Sequence, residues 1–455
     1  MTINQSLFLK ERELKKFAFN IGVTIGQQFF SLLIGVGTII VIARILGPEG
    51  NGHFALALLL PMVFSQLFTL GIGAASVYYI NQGEVSTLQA FKSNVISWFF
   101  LVLLGCSAGS LIIYHYNEYF FPGVPENLLW ISLLCFPVLL LYDFIISLLQ
   151  ANNEFNKYNW VRIIQPCLIF VSVFIFIFFL NKGVVGAISG YLAGSLGGLV
   201  VAVIAVRSSL AHQIDGVSFR YILKSMKYGY KVNLGNIVAF LNEKADLFLI
   251  NMLINPVSAG IYVIASQMAQ KLWILSHAVS IVIFPMLAKI ETGEDVKKKL
   301  TPLMAKWVAF FTLCGALVMV LFGRTFITLL FGHEYLECVV PLFVLLPGII
   351  LGGMSRVFAN DIAARGKPEI NLFLVLIILG TNIAFNILLI PHYGIIGGAL
   401  ATTIAYVIDL LLRLKIYAHI TNIKWFELLI FTSEDFLLLK KSFSMAAAML
   451  KGDNK

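Results

Sequence analysis

Apolar runs of about twenty residues recur along the whole chain, broken by short polar stretches. A membrane-crossing helix needs roughly 20 consecutive apolar residues. On that criterion spans are predicted near 17–43, 53–80, 93–114, 128–150, 159–180 and 183–206. A polar stretch, Arg207–Lys231, separates these from six more near 232–253, 257–288, 303–330, 338–360, 370–391 and 394–417. The strict apolar/polar alternation of an outer-membrane barrel is absent. After Tyr417 no further run is long enough. Thr432-Ser433-Glu434-Asp435 reads as a helix start, so 421–455 is expected to form an amphipathic tail on the cytoplasmic leaflet.

Composition agrees with lipid as the solvent. Of the 455 residues 59% are hydrophobic and 12% charged, with a mean hydropathy of +0.90. Soluble domains carry roughly 25% charged residues. The net charge of +9 does not imply nucleic acid. With the N-terminus inside, the basic clusters Lys10–Lys16, Arg207–Lys231, Lys289–Lys306 and Arg413–Lys455 all fall on the cytoplasmic side. Arg44, Lys182 and Arg324 are left outside, and Lys244, Lys271 and Arg356 within spans. This predicts a multi-pass inner-membrane protein with both termini cytoplasmic. No cleavable signal peptide is read at the N-terminus. The five cysteines lack metal-ligand spacing and read as small hydrophobes.

The two halves resemble each other. Leu46-Gly-Pro48-Glu-Gly-Asn-Gly52-His-Phe54 matches Ile254-Asn-Pro256-Val-Ser-Ala-Gly260-Ile-Tyr262, and Asn181-Lys-Gly183-Val-Val-Gly186 matches His392-Tyr-Gly394-Ile-Ile-Gly397. Leu149-Gln-Ala151-Asn-Asn-Glu-Phe155 matches Ile362-Ala-Ala364-Arg-Gly-Lys-Pro368 more weakly. Six spans per repeat is an even number, so both halves insert with one orientation, related by an axis along the membrane normal. The expected fold is an all-α polytopic membrane protein. About twelve transmembrane helices form two six-helix lobes, 1–210 and 211–420, related by a pseudo-two-fold axis, with the tail 421–455 beyond.

Arg44-Ile-Leu46-Gly47-Pro48-Glu-Gly-Asn-Gly52-His-Phe54 resembles the R-x-L-G-P-x-x-x-G-x-F/Y signature of polysaccharide repeat-unit (O-antigen) flippases. These proteins belong to the multidrug, oligosaccharidyl-lipid and polysaccharide (MOP) exporter superfamily. Ala259-Gly260-Ile-Tyr262, Gln150-Ala151-Asn-Asn-Glu-Phe155 and Ala364-Arg365-Gly366-Lys367 are similar to further family motifs, so the resemblance covers about 13–420. It implies a transporter, not an enzyme. Its cargo would be an undecaprenyl-diphosphate-linked oligosaccharide, moved across the inner membrane by alternating access for polysaccharide biosynthesis. The alternative is a MOP exporter of another cargo: a peptidoglycan lipid precursor, or drugs exchanged for ions. Expected partners are the lipid-linked oligosaccharide, membrane lipids and polysaccharide polymerase machinery, with no nucleic acid.

Charges within spans usually face a cavity, because a charge in hydrocarbon is costly. The seventh predicted span carries Asn233, Asn236, Asn242, Glu243, Lys244 and Asp246; the eighth Gln267, Gln270, Lys271 and His277; the tenth Arg356 and Asn360. Lys271, Arg356 and Lys244 suit a diphosphate. Asn236, Asn242, Gln267 and Asn360 suit sugar hydroxyls, and Glu243 or Asp246 a coupling proton or sodium ion. No other cofactor or metal is expected. The competing reading of Lys244 and Lys271 is a structural ion pair with Asp246. Asp143 has no obvious partner in the sequence, whereas Asp409 and Arg413 stand four apart and are expected to pair. Pro61, Pro137, Pro285, Pro341 and Pro347 are expected kinks or hinges. A glycan polymerase or ligase is disfavoured: the longest outer loop, His115–Asn127, holds no acid–base constellation, and no Walker A loop is present.

Overall fold

The computed structural model describes residues 3–210, 215–274 and 294–429. His277, Pro285 and the tail beyond 429 lie outside these residues. Described residues form helices and no strands. In chain order they are α1 (Ile3–Phe68), α2 (Ile72–Asn81), α3 (Thr87–Phe120), α4 (Glu126–Leu133), α5 (Cys135–Ala151), α6 (Phe155–Phe174, continued by a π-helical turn), α7 (Gly183–Leu210), α8 (Phe219–Leu253), α9 (Pro256–Lys271), α10 (Glu294–Leu330), α11 (Val339–Ala364), α12 (Pro368–Tyr393) and α13 (Ile395–Thr421).

Nine segments among the described residues are long and apolar enough to cross a membrane. The first, Gly26–Asn81, contains two of the predicted spans. They are separated inside α1 by Gly47, whose φ of 67° interrupts the helix. A residue with a Cβ is strained there, and Pro48 then restarts the helix where its missing N–H costs nothing. The helices α8 and α9 are not among the nine. Two of the expected proline kinks coincide with helix interruptions: α4 and α5 are divided at Leu134, three residues before Pro137, and a 3-10 turn, His333–Cys338, gives way to α11 just before Pro341.

The chain divides into two compact units, Met1–Ile261 and Tyr262–Lys455. This division follows packing: α8 lies against α1, α2 and α3 and is grouped with the first unit. In that unit α5 is central. Ile145, Ile146, Leu148 and Leu149 pack with Ala90 of α3, Val161 of α6, Ala202 and Val206 of α7 and Tyr221 of α8. Glycines let α7 approach α6 closely: a Cβ on Gly190 would stand 2.7 Å from the Val173 Cα. Small residues at such contacts supply the packing that drives helix association in lipid. Phe99, Phe100, Leu103 and Leu104 of α3 are exposed, as a lipid-facing surface should be.

In the second unit α11 has the same central role, packed by α10 and α13. Met354, Phe358 and Ile362 meet Leu410, Leu414 and Tyr417. A polar rivet crosses this core. Asp409 accepts from Arg413 at 2.8 Å and from Ser355 at 2.5 Å, and Arg413 also donates to Asn371 at 2.6 Å. The Arg413 side chain is 5% exposed. Removing one partner of a buried pair costs about 3–5 kcal/mol. Asp409→Leu is therefore expected to lower the melting temperature of purified protein sharply, and adding Arg413→Met to recover most of the loss. An unchanged melting temperature in the single variant would show that the rivet is dispensable.

The motifs that repeat in sequence also repeat in local conformation. Gly183 and Gly394 both take positive φ, at 55° and 60°. Gly186 and Gly397 each press on a backbone carbonyl of the preceding helical segment, Phe176 and Leu389 respectively. The ends of α5 and α11 turn through left-handed residues at matching positions, Asn153 (φ 57°) and Gly366 (φ 76°).

Candidate functional site

The first repeated motif and its second copy pack on each other. A Cβ on Gly52 would overlap the Pro256 carbonyl oxygen, and a Cβ on Gly260 would overlap that of Pro48. The contact is reciprocal, as between symmetry-related surfaces. Asn51, 3% exposed, donates to the Gly260 carbonyl at 2.9 Å. Asn255 caps the α9 start by accepting from the Ser258 N–H at 2.8 Å, and Gly123, at φ 76°, stands against Pro256.

A second glycine pair closes at the other end of this stretch. Backbone atoms of Gly71 (φ 67°) and Gly229 leave no room for a Cβ on either residue. The Tyr78 and Tyr228 rings stack at 4.7 Å beside it, and Lys224 pairs with Glu84 at 2.9 Å. At 1.5 Å rise per residue Gly52 and Gly71 are about 28 Å apart along the chain axis. That is close to the thickness of a bilayer core.

Between these levels α8 carries the polar positions read from sequence. Asn236 is exposed and donates to Asn233 at 3.3 Å. Lys244 donates to its neighbour Glu243 at 2.9 Å and lies 5.7 Å from the Phe240 ring centroid. Both members of this pair are about one-third exposed. Asn242 and Asp246 instead turn into protein, at 8% and 5% exposure. Asn236 and Glu243 are thus accessible on α8, whereas Asn242 and Asp246 are buried.

In the second unit Arg356 is the conspicuous cation. Its guanidinium carbon lies 3.4 Å from the Trp273 ring centroid. The indole is fixed in turn: Nε1–H donates to the Ile349 carbonyl at 3.0 Å, and the Tyr406 ring meets it edge-on at 5.9 Å. Arg356 and Asn360 are four apart on α11 and both exposed, although 61% of this segment's apolar window is buried. Exposed polar groups on so interior a helix face a cleft rather than lipid. Stacking uses the guanidinium face and leaves its in-plane donor fork suited to phosphate. Lys271 ends α9 two residues before Trp273, half-buried, and Gln267 stands one turn earlier. Neither Trp273 nor Tyr406 is conspicuous in sequence, since an aromatic in an apolar run reads as core.

Arg162, two turns inside α6, lies within electrostatic reach of Asp143 without pairing with it. Ser31 donates to the Arg162 carbonyl at 3.1 Å and accepts from Gln27 at 3.0 Å. No group of three or more His, Cys, Asp or Glu side chains gathers as a metal site among the described residues.

The fold is similar to that of solved MOP-superfamily transporters. A lipid II flippase MurJ in an inward closed conformation superposes with a TM-score of 0.73 at 19% identity, covering 94% of this chain and 98% of that one. An inward-facing multidrug resistance MATE transporter of the superfamily gives 0.62 at 15% identity, covering 86% and 96%. The chain belongs to the polysaccharide biosynthesis protein family, whose model matches residues 41–340. A Shigella flexneri protein described as an O-antigen transporter is 22% identical over 86% of this chain and 95% of its own length. A Haloferax volcanii protein described as the low-salt glycan biosynthesis flippase Agl15 is 22% identical over 50% of this chain and 49% of its own.

Proposed function

We propose that the protein is a flippase that carries a lipid-linked oligosaccharide across the membrane for polysaccharide biosynthesis. It is a transporter and not an enzyme. The observation that carries the reading is Arg356, exposed on an interior helix and held by its face on Trp273. It stands in a chain whose family and relatives serve glycan assembly. A diphosphate leaving water needs a preformed cation, and a stacked guanidinium supplies one with little loss of side-chain freedom. The cargo we assign is undecaprenyl-diphosphate-linked, with Lys271 and Lys244 as further cations and Asn236, Asn242, Gln267 and Asn360 as sugar contacts. Glu243 or Asp246 is assigned the coupling proton or sodium ion. Twelve crossings, two similar lobes, an inner-membrane location and cytoplasmic termini complete the proposal, supported by the alternation of basic clusters.

Complementation tests it. The protein and its Lys271→Ala variant are expressed in a strain lacking its own repeat-unit flippase but making a matched lipid-linked repeat unit. Surface polysaccharide should return with the wild type and fall at least severalfold with the variant at equal expression. No polysaccharide with well-inserted wild type would contradict the flippase reading; full restoration by Lys271→Ala would remove that residue from the path.

A further inference from the structure

The first unit contains a polar cluster that the cationic site does not use. Tyr142 and Asp143 lie side by side on α5; Tyr158 and Arg162 stand four apart on α6. Of the candidate spans, the one that holds α5 has the largest buried share, 67% of its apolar window, yet the Asp143 side chain is exposed. A charge so placed is of the kind that faces a cavity rather than lipid. Among the described residues no hydrogen bond or ion pair reaches its carboxylate, and Arg162 acts on it only at longer range. Arg162 donates to the Tyr158 hydroxyl at 2.6 Å, with its guanidinium carbon 5.4 Å from that ring centroid. Tyr142 is 7% exposed, and among the described residues its hydroxyl has no hydrogen-bond partner. Arg162, Asp143 and Tyr158 all lie within electrostatic reach of it. A buried hydroxyl without a partner is costly unless something else satisfies it.

The chemistry of this cluster differs from that of Arg356. Counting back from Asn153 and Gly366, the left-handed residues of the matching turns, places Asp143 and Arg356 at equivalent positions on α5 and α11. One repeat thus sets an acid where the other sets a base, each about 12 Å along its helix from the adjoining loop. A site for diphosphate alone has no use for a carboxylate, which repels phosphate. A sugar hydroxyl both donates and accepts, so it suits a carboxylate acceptor beside a guanidinium fork and phenolic hydroxyls. Tyrosine rings add an apolar surface for the pyranose C–H face.

We propose that Tyr142, Asp143, Tyr158 and Arg162 form a carbohydrate-binding subsite that takes hydroxyls of the oligosaccharide, separate from the diphosphate site at Arg356. This inference rests on the flippase reading. The test is binding to purified full-length protein in lipid nanodiscs with two probes: undecaprenyl diphosphate alone, and lipid-linked oligosaccharide extracted from the cells that make the protein. Wild type should bind the sugar-bearing lipid more tightly. Asp143→Leu and Arg162→Gln should each weaken it about tenfold, as expected for losing a charge-assisted hydrogen bond, and leave the bare lipid within twofold. Arg356→Ala should weaken both. Tyr142→Phe removes one hydroxyl with little risk to folding and should weaken the sugar-bearing lipid alone. Equal loss on both probes, or no loss on either, would overturn the subsite. Wild type binding neither probe would overturn the flippase reading and the subsite with it.

Discussion

Gly260→Val is expected to abolish transport while leaving the protein inserted in the membrane. Any Cβ at this position overlaps the Pro48 carbonyl, a backbone atom with little freedom to retreat. The first turn of α9 would be driven off α1, and the Asn51 hydrogen bond to the Gly260 carbonyl would break with it. Under the proposed orientation this contact closes the outer face, while Gly71 and Gly229 close the inner one. Alternating access requires each closure to form in turn. A protein that cannot close outside is trapped. Complementation should therefore fall to background, and Gly260→Ala should lie between. Accessibility provides the second readout. An Asn51→Cys residue, buried in the parent, should react severalfold faster with an impermeant maleimide when Gly260→Val is also present. Normal transport with unchanged labelling would show that the reciprocal contact is not a gate.

Arg356→Ala should reduce substrate binding about 10- to 100-fold, the range for losing a hydrogen-bonded charge worth about 1.5–3 kcal/mol. Arg356→Lys should recover only part of this. An ammonium carries the charge but cannot stack flat on Trp273 or present a two-pronged donor. Trp273→Leu keeps the cation and removes its platform, so it should act as a milder form of Arg356→Ala with the lysine variant no longer inferior to arginine. Binding of undecaprenyl diphosphate to each purified variant separates these cases. Wild-type affinity in Arg356→Ala would place the diphosphate elsewhere.

Much of this was legible in the sequence. Lipid-spanning helices announce themselves because their residues must be apolar on every face. The kink at Gly47 and the cap at Asn255 were present as matching Gly-Pro and Asn-Pro pairs, and so was the Asp409–Arg413 pair, because four residues make one helical turn. What the two motifs do was not legible. Nothing in either copy says that Gly52 and Gly260 touch each other, since pairing between distant segments leaves no local periodicity. Arg162 lies just inside the predicted span 159–180, so close to its boundary that it was not read as an intramembrane charge; the observed helix starts earlier, at Phe155. Its neighbours Tyr142 and Tyr158 were invisible because tyrosine suits an apolar run. Trp273 was missed for the same reason, although an arginine in a span is itself a signal to look for an aromatic face.

Reconstitution tests the central claim most directly. Protein purified into liposomes is supplied with lipid-linked oligosaccharide extracted from its host, and the fraction of glycan reached by an impermeant lectin at the outer surface is followed over time. With wild type the accessible fraction should rise well beyond that of protein-free liposomes, and with Arg356→Ala it should rise far more slowly. An accessible fraction that stays at the protein-free level with folded wild type, under both proton and sodium gradients, would contradict a lipid-linked oligosaccharide flippase.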